Sequence, residues 1–134
     1  MNLHEEEFIR AFIIPSKRDR YLTLFTTKKG RRKLTITLNH NHEIDTRFLH
    51  KIPSQDHSVD SIFRSLKQRG APASCYVIAS CDLDGQQMDL EDALAETVGQ
   101  GVGTVISCIP GKLGYFEAED PGAVFDLVDG SRRT

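Results

Sequence analysis

Between Cys75 and Glu119 the chain reads as strand, acidic loop, helix, strand, tight turn and strand, and no other stretch constrains the fold as strongly. Tyr76-Val77-Ile78-Ala79 has no polar residue at alternate positions, so both of its faces must be covered. A strand buried on both sides needs helices above and below its sheet. Thr104–Ile109 is a second apolar run, Pro110-Gly111 supplies a tight turn, and Leu113–Glu117 folds back antiparallel. The helix between the first two strands starts near Asp89. Leu90, Ala93, Leu94, Thr97 and Val98 form its apolar side, and Gly99, Gly101 and Gly103 end it. Strand, helix and strand in this order predict a right-handed βαβ unit with parallel pairing. The three glycines precede a strand, whereas a dinucleotide cradle follows one, so they are not read as a phosphate loop.

The flanking segments carry their own signals. Residues 3–13 read as a helix with Glu5, Glu6 and Glu7 in its first turn, where the helix dipole favours negative charge, and Pro15 ends it. Tyr21–Thr26 and Leu34–Leu38 alternate polar and apolar residues. With Gly30 in the connection they predict a hairpin. Residues 46–57 read as a loop with a helical turn. Ser58 is an N-cap, Val59, Ile62, Phe63 and Leu66 form a helical stripe, and Gly70 with Pro72 closes that helix. Asp120-Pro121 predicts a last helix through Val128, and residues 130–134 are expected to fray. The expectation is one globular α/β (α+β) domain over residues 1–134. It has a single-layer mixed sheet of about five strands, with a βαβ unit, two hairpins and helices packed on the sheet faces.

At 134 residues such a domain buries a core without disulfides. Cys75, Cys81 and Cys108 lie in or beside strands and are read as reduced thiols. No apolar run approaches the roughly 20 residues that span a bilayer, and the first residues are acidic where a secretory leader is basic. A cytoplasmic protein without a membrane segment is expected. Net charge is −2, yet residues 1–51 carry 11 Lys and Arg against 6 Asp and Glu, and residues 52–134 carry 6 against 13. A core does not need that division; it belongs to surfaces and suggests either attraction between the two halves or a homodimer that sets a basic face on an acidic one.

Three groups of residues could carry chemistry. Lys28, Lys29, Arg31, Arg32 and Lys33 follow Lys17, Arg18 and Arg20. On a hairpin they could contact nucleic-acid phosphates, or simply guard a sheet edge. His40 and His42 would point to one side of an extended chain and could chelate a metal with Asp45, His50 or His57. The alternative is a polar strand end. Parallel pairing would place Asp82 and Asp84, after one strand, at the same sheet edge as Lys112, after its partner.

An apolar strand followed by Asp82-Leu83-Asp84-Gly85 resembles the first motif of the haloacid dehalogenase-like phosphohydrolases. The resemblance implies Asp82 as nucleophile, Asp84 as general acid and base, Lys112 as charge stabiliser and Mg²⁺ as the metal. Gln86 stands where that family has a hydroxyl residue, and 49 residues follow Gly85. Ser80, Asp82, Asp84, Gly85 and Glu91 also resemble positions of an EF-hand calcium loop, entered here from a strand rather than a helix. The simplest account makes Asp82 and Asp84 turn-forming residues, with Lys112 neutralising one of them. The reading is therefore a non-catalytic binding or regulatory module with no resident cofactor. The alternatives are an Asp82/Asp84 phosphohydrolase with Mg²⁺ and a nucleic-acid-binding protein.

Overall fold

Among the described residues every strand pair is antiparallel. The computed structural model describes residues 2–38, 43–118 and 124–128. Its helices are α1 (Leu3–Phe12), α2 (Arg18–Leu24), α3 (Lys28–Leu38), α4 (Val59–Gln68) and α5 (Leu90–Thr97). Its strands are β1 (Leu49–Lys51), β2 (Ser74–Ala79), β3 (Gln87–Asp89), β4 (Thr104–Ile109), β5 (Leu113–Glu117) and β6 (Val124–Val128). They form one six-stranded sheet in the order β1-β6-β5-β4-β2-β3. This is an α+β protein with helices packed on both faces of the sheet.

Alternation along the central strands builds two cores. Tyr76, Ile78, Val105 and Phe116 face one way and meet Phe8, Ile9, Phe12, Tyr21, Phe25 and Leu34 from α1–α3. Cys75, Val77, Ala79, Ile106, Cys108 and Tyr115 face the other way and meet Ile62, Leu66, Leu90, Ala93 and Leu94 from α4 and α5. Two-sided burial is what the uninterrupted apolar run at 76–79 requires. The helix caps are as the sequence indicates: Ser58 accepts from the Ser61 N–H and Asp89 from the Asp92 N–H.

Three expectations are corrected. The first is the parallel βαβ unit. After β2 the chain turns back into β3, which pairs with the outer side of β2, before entering α5. Because β3 and β4 both run antiparallel to β2, α5 does connect two strands of like direction, but β2 lies between them. This is a split βαβ arrangement. The hidden partner is three residues long with only Met88 apolar, which is too short for a periodic signal. The second correction is the final helix: residues 124–128 form β6, between β1 and β5. The third is the hairpin over 21–38, where α2 and α3 stand instead.

Burial explains that last exchange. A strand would bury Leu34 and Ile36 together; the protein buries Leu34 and Thr35 and leaves Ile36 51% exposed. Thr35 and Thr37 satisfy their hydroxyls on the carbonyls of Arg32 (3.1 Å) and Lys33 (2.9 Å), as threonines do inside helices. Gly30 does not take positive φ. It lets α3 approach α2, since a Cβ there would stand 2.2 Å from the Leu24 carbonyl oxygen.

Burial also sorts the thiols. Cys75 and Cys108 are buried and Cys81 is exposed. Burial, and then the charge of Asp89, push the Cys75 thiol up to about 12. One thiol per chain should therefore react rapidly with a disulfide reagent at about pH 8, and all three in denaturant. The unfolded thiol ionises near 9, while folded Cys75 keeps its proton to about 12. Stability is thus fully present below about pH 9 and declines as pH rises from there to about 12. A denaturant midpoint that holds constant across that range would contradict the burial of Cys75.

Candidate functional site

Arg31, on the inward side of α3, ties the N-terminal helices to the loop after β2. Its Nε donates to Asp84 Oδ2 at 2.5 Å and its Nη2 to Asp84 Oδ1 at 3.0 Å. Its Nη1 donates to Glu5 Oε2 on α1. The same Glu5 oxygen accepts the Tyr76 hydroxyl, and Arg31 Nη2 lies 3.4 Å from that hydroxyl. The guanidinium also stacks 5.0 Å from the Phe25 ring centroid. One cation thus joins two carboxylates and a phenol drawn from α1, β2 and the β2–β3 loop.

Each partner has a second attachment. Asp84 Oδ1 accepts the Ala79 N–H at 2.9 Å, occupying a main-chain donor at the end of β2. Glu5 Oε1 accepts the Asn2 N–H at 3.3 Å, closing the capping box that starts α1. Gly85, at φ +80°, lets the loop fold under Arg31, and its N–H donates to the Val77 carbonyl at 2.8 Å. Burial, reinforced by the hydrogen bond to Glu5, pushes the Tyr76 hydroxyl up to about 12. Burial alone would weaken proton binding by Arg31; the hydrogen bonds it donates to Asp84 and Glu5 outweigh it and hold the guanidinium above its ordinary range. His4 stacks on Tyr76 at 5.6 Å with its Nδ1 2.7 Å from Ser107 Oγ, and burial lowers its pKa.

The residues singled out in the sequence are distributed as follows. Asp84 and Arg31 meet, although the sequence places Asp84 in a turn, or by the resemblance in general acid–base chemistry, and Arg31 on a hairpin. Asp82 is exposed, and its main-chain carbonyl accepts from Gln86 Nε2 at 3.1 Å. Lys112 does not join them. Ala79 lies opposite Thr104 at the start of β4, and the turn carrying Lys112 follows Ile109 at the strand's far end. Five residue steps of strand separate the two ends, on the order of 17 Å. The aspartate is neutralised by Arg31 rather than by Lys112. His40 and His42 lie outside the described residues, among which no group of three or more His, Cys, Asp or Glu side chains gathers as a metal site would.

Lys28, Lys29, Arg32 and Lys33 are exposed on α3. Lys28, Arg32 and Ile36, one helical turn apart, line a groove of about 510 Å³ whose other wall is Ser80, Cys81 and Asp82. The sequence did not mark Glu5 and Tyr76 as partners of this site. Asn2 and Glu5 have capping-box spacing, a local signal, but nothing local ties residue 5 to residues 31 and 76. No protein-family model, no curated protein and no solved structure matches the chain.

Proposed function

We propose that the protein is a non-catalytic binding module that engages a polyanionic partner, nucleic acid being the first candidate, through the outer face of α3. One observation carries this reading. Four cations of α3 (Lys28, Lys29, Arg32 and Lys33) are exposed and make no ion pair among the described residues, while the fifth, Arg31, turns inward and anchors the helix to Asp84 and Glu5. A helix fixed from behind presents its charges in a constant geometry, which lowers the ordering cost of binding. The carboxylates of the acidic loop are unevenly used: Asp84 is held by Arg31, and Asp82 has no lysine from position 112 beside it. Self-association through the same face is the second reading, supported by Ile36 standing 51% exposed among these cations.

The test is fluorescence anisotropy with a labelled oligonucleotide of mixed sequence at low salt. Four phosphate contacts predict a slope of log K against log salt of about −3 to −4, with little sequence preference. Replacing Lys28, Lys29, Arg32 and Lys33 together with Gln should flatten the slope and abolish binding without changing the melting temperature. Absence of binding to both the oligonucleotide and polyglutamate overturns the polyanion reading. Turnover of a phosphate ester with Mg²⁺ that Asp82→Asn abolishes overturns the non-catalytic one. Light scattering on the same samples reports self-association, expected to vanish in Ile36→Ser if that face pairs.

A further inference from the structure

A second groove lies on the opposite face of the sheet, between the edge strand β1 and α4, with a volume of about 330 Å³. One wall is His50–Pro53, from β1 and the residues just after it, and the other is Ser61, Arg64, Ser65 and Gln68 of α4, with Arg69 at the cap beyond them. The α4 residues recur at i, i+3, i+4 and i+7, so one stripe of the helix looks across at the strand. The inner stripe of the same helix holds Ile62 and Leu66, both in the core. Ile52 and Ile62, 7% and 1% exposed, close the bottom of the groove.

The hydroxyls on this stripe differ from those of α3 and α5. Thr35, Thr37 and Thr97 each donate to a helix carbonyl three or four residues earlier. Ser61 and Ser65 are half-buried, yet neither hydroxyl has a partner among the described residues. Arg64 and Gln68 also make no hydrogen bond or ion pair there. Two hydroxyls, an amide and a guanidinium therefore line the groove with no partner among the described residues, above the buried Ile52 and Ile62. Asp56 is the carboxylate in the lining, against Lys51, Arg64 and Arg69, and Asp126 stands opposite His50 in the β1–β6 register.

We propose that this groove is a binding site for a small phosphomonoester. Arg64 would take the phosphate, Ser61 and Ser65 would donate to its oxygens, and the organic part would lie on Ile52 and Ile62. A guanidinium with flanking hydroxyls suits a tetrahedral dianion, because charge-assisted hydrogen bonds are the strong ones and an apolar floor keeps water from screening them. The volume falls in the range of small-ligand clefts, roughly 300–1,000 Å³. The site is independent of the α3 reading: it lies on the other face of the sheet and uses none of the same residues.

Isothermal titration of the whole chain with phenyl phosphate, inorganic phosphate and benzoate tests the assignment. Phenyl phosphate is expected to bind more tightly than inorganic phosphate, because its ring covers the floor, and benzoate more weakly than either. Arg64→Gln should weaken phenyl phosphate about tenfold or more, and Ser61→Ala with Ser65→Ala by a comparable factor. Both sets sit outside the core, and their unliganded melting temperatures should match the parent. The assignment fails if phenyl phosphate does not bind at about 10 mM, which corresponds to less than about 3 kcal/mol of binding free energy. It also fails if both variants bind unchanged. Binding that instead disappears on neutralising Lys28, Lys29, Arg32 and Lys33 assigns the phosphate to α3 and overturns this site.

Discussion

Arg31→Ala is expected to destabilise the protein by about 3 kcal/mol, the low end of the cost of breaking a buried ion pair from one side. The guanidinium is 19% exposed, Glu5 4% and Asp84 22%. Truncation leaves Glu5 buried with only the Tyr76 hydroxyl and its own cap for partners, and frees Asp84 from the arm that holds the β2–β3 loop. Solvent reaches Asp84 and Arg31, which is why the larger values reported for dry pairs are not expected. For a chain of this length the loss corresponds to a melting temperature lower by about 10 °C. Arg31→Lys should recover part of it at most, because one ammonium cannot bridge Asp84 with two bonds and reach Glu5 as well. A cycle with Glu5→Gln distinguishes this account from simple loss of packing. In the Arg31→Ala background Glu5→Gln should restore stability, giving a coupling energy of about 1–3 kcal/mol. Additive losses would mean that the carboxylate does not depend on Arg31.

Gly30→Ala should lower stability by about 2–3 kcal/mol, opposite in sign to what helix propensity alone gives. In an exposed helix interior the change would gain about 1 kcal/mol. Here the new methyl carbon would lie 2.2 Å from the Leu24 carbonyl oxygen and 2.9 Å from the Leu24 carbonyl carbon and Cα. All three are main-chain atoms of α2, so no side chain can rotate away, and overpacking of this kind costs on the order of 1–3 kcal/mol or more. Relief requires α3 to move off α2, which also displaces Arg31 from Asp84 and Glu5. Gly70→Ala is the control: Gly70 has φ +100° and no atom within 4 Å of an added Cβ. Its cost is backbone strain alone, about 1 kcal/mol. Urea unfolding followed by circular dichroism gives both values. A Gly30→Ala variant as stable as the parent would mean that α2 and α3 do not touch at this point.

Some elements were legible because their signals are local and redundant. Ser58 and Gly70 bracket α4, with Ile62 and Leu66 between them at helical spacing. Asp89 opens α5, and the uninterrupted run at 76–79 demanded a layer on each face of the sheet. The segment 21–38 misled because Tyr, Thr, Phe and Ile suit strands, and five or six residues cannot separate a period of two from one of 3.6. The informative residue was Gly30, whose need for space is set by Leu24 and not by its own backbone angles. The candidate site was half visible: its acidic loop and its cations stood out, but in unrelated roles.

What the sequence alone determined is the set of strongly patterned pieces, α1, α4, α5 and the three central strands, and the rule that both faces of the sheet are covered. Each rests on caps, periodicity and turn residues within about a dozen positions. Only the tertiary structure decided which strands are neighbours and which charges meet. β3, with three residues, gains its partner from β2 and has no pattern of its own. Its insertion turns a parallel unit into a split one and sends Lys112 to the far end of the sheet from Asp84. Arg31, Glu5 and Asp84 are drawn together across 26 and 53 positions of chain. Pairing at such separations is set by how the buried faces stack, a property of the assembled layers that no window of sequence contains.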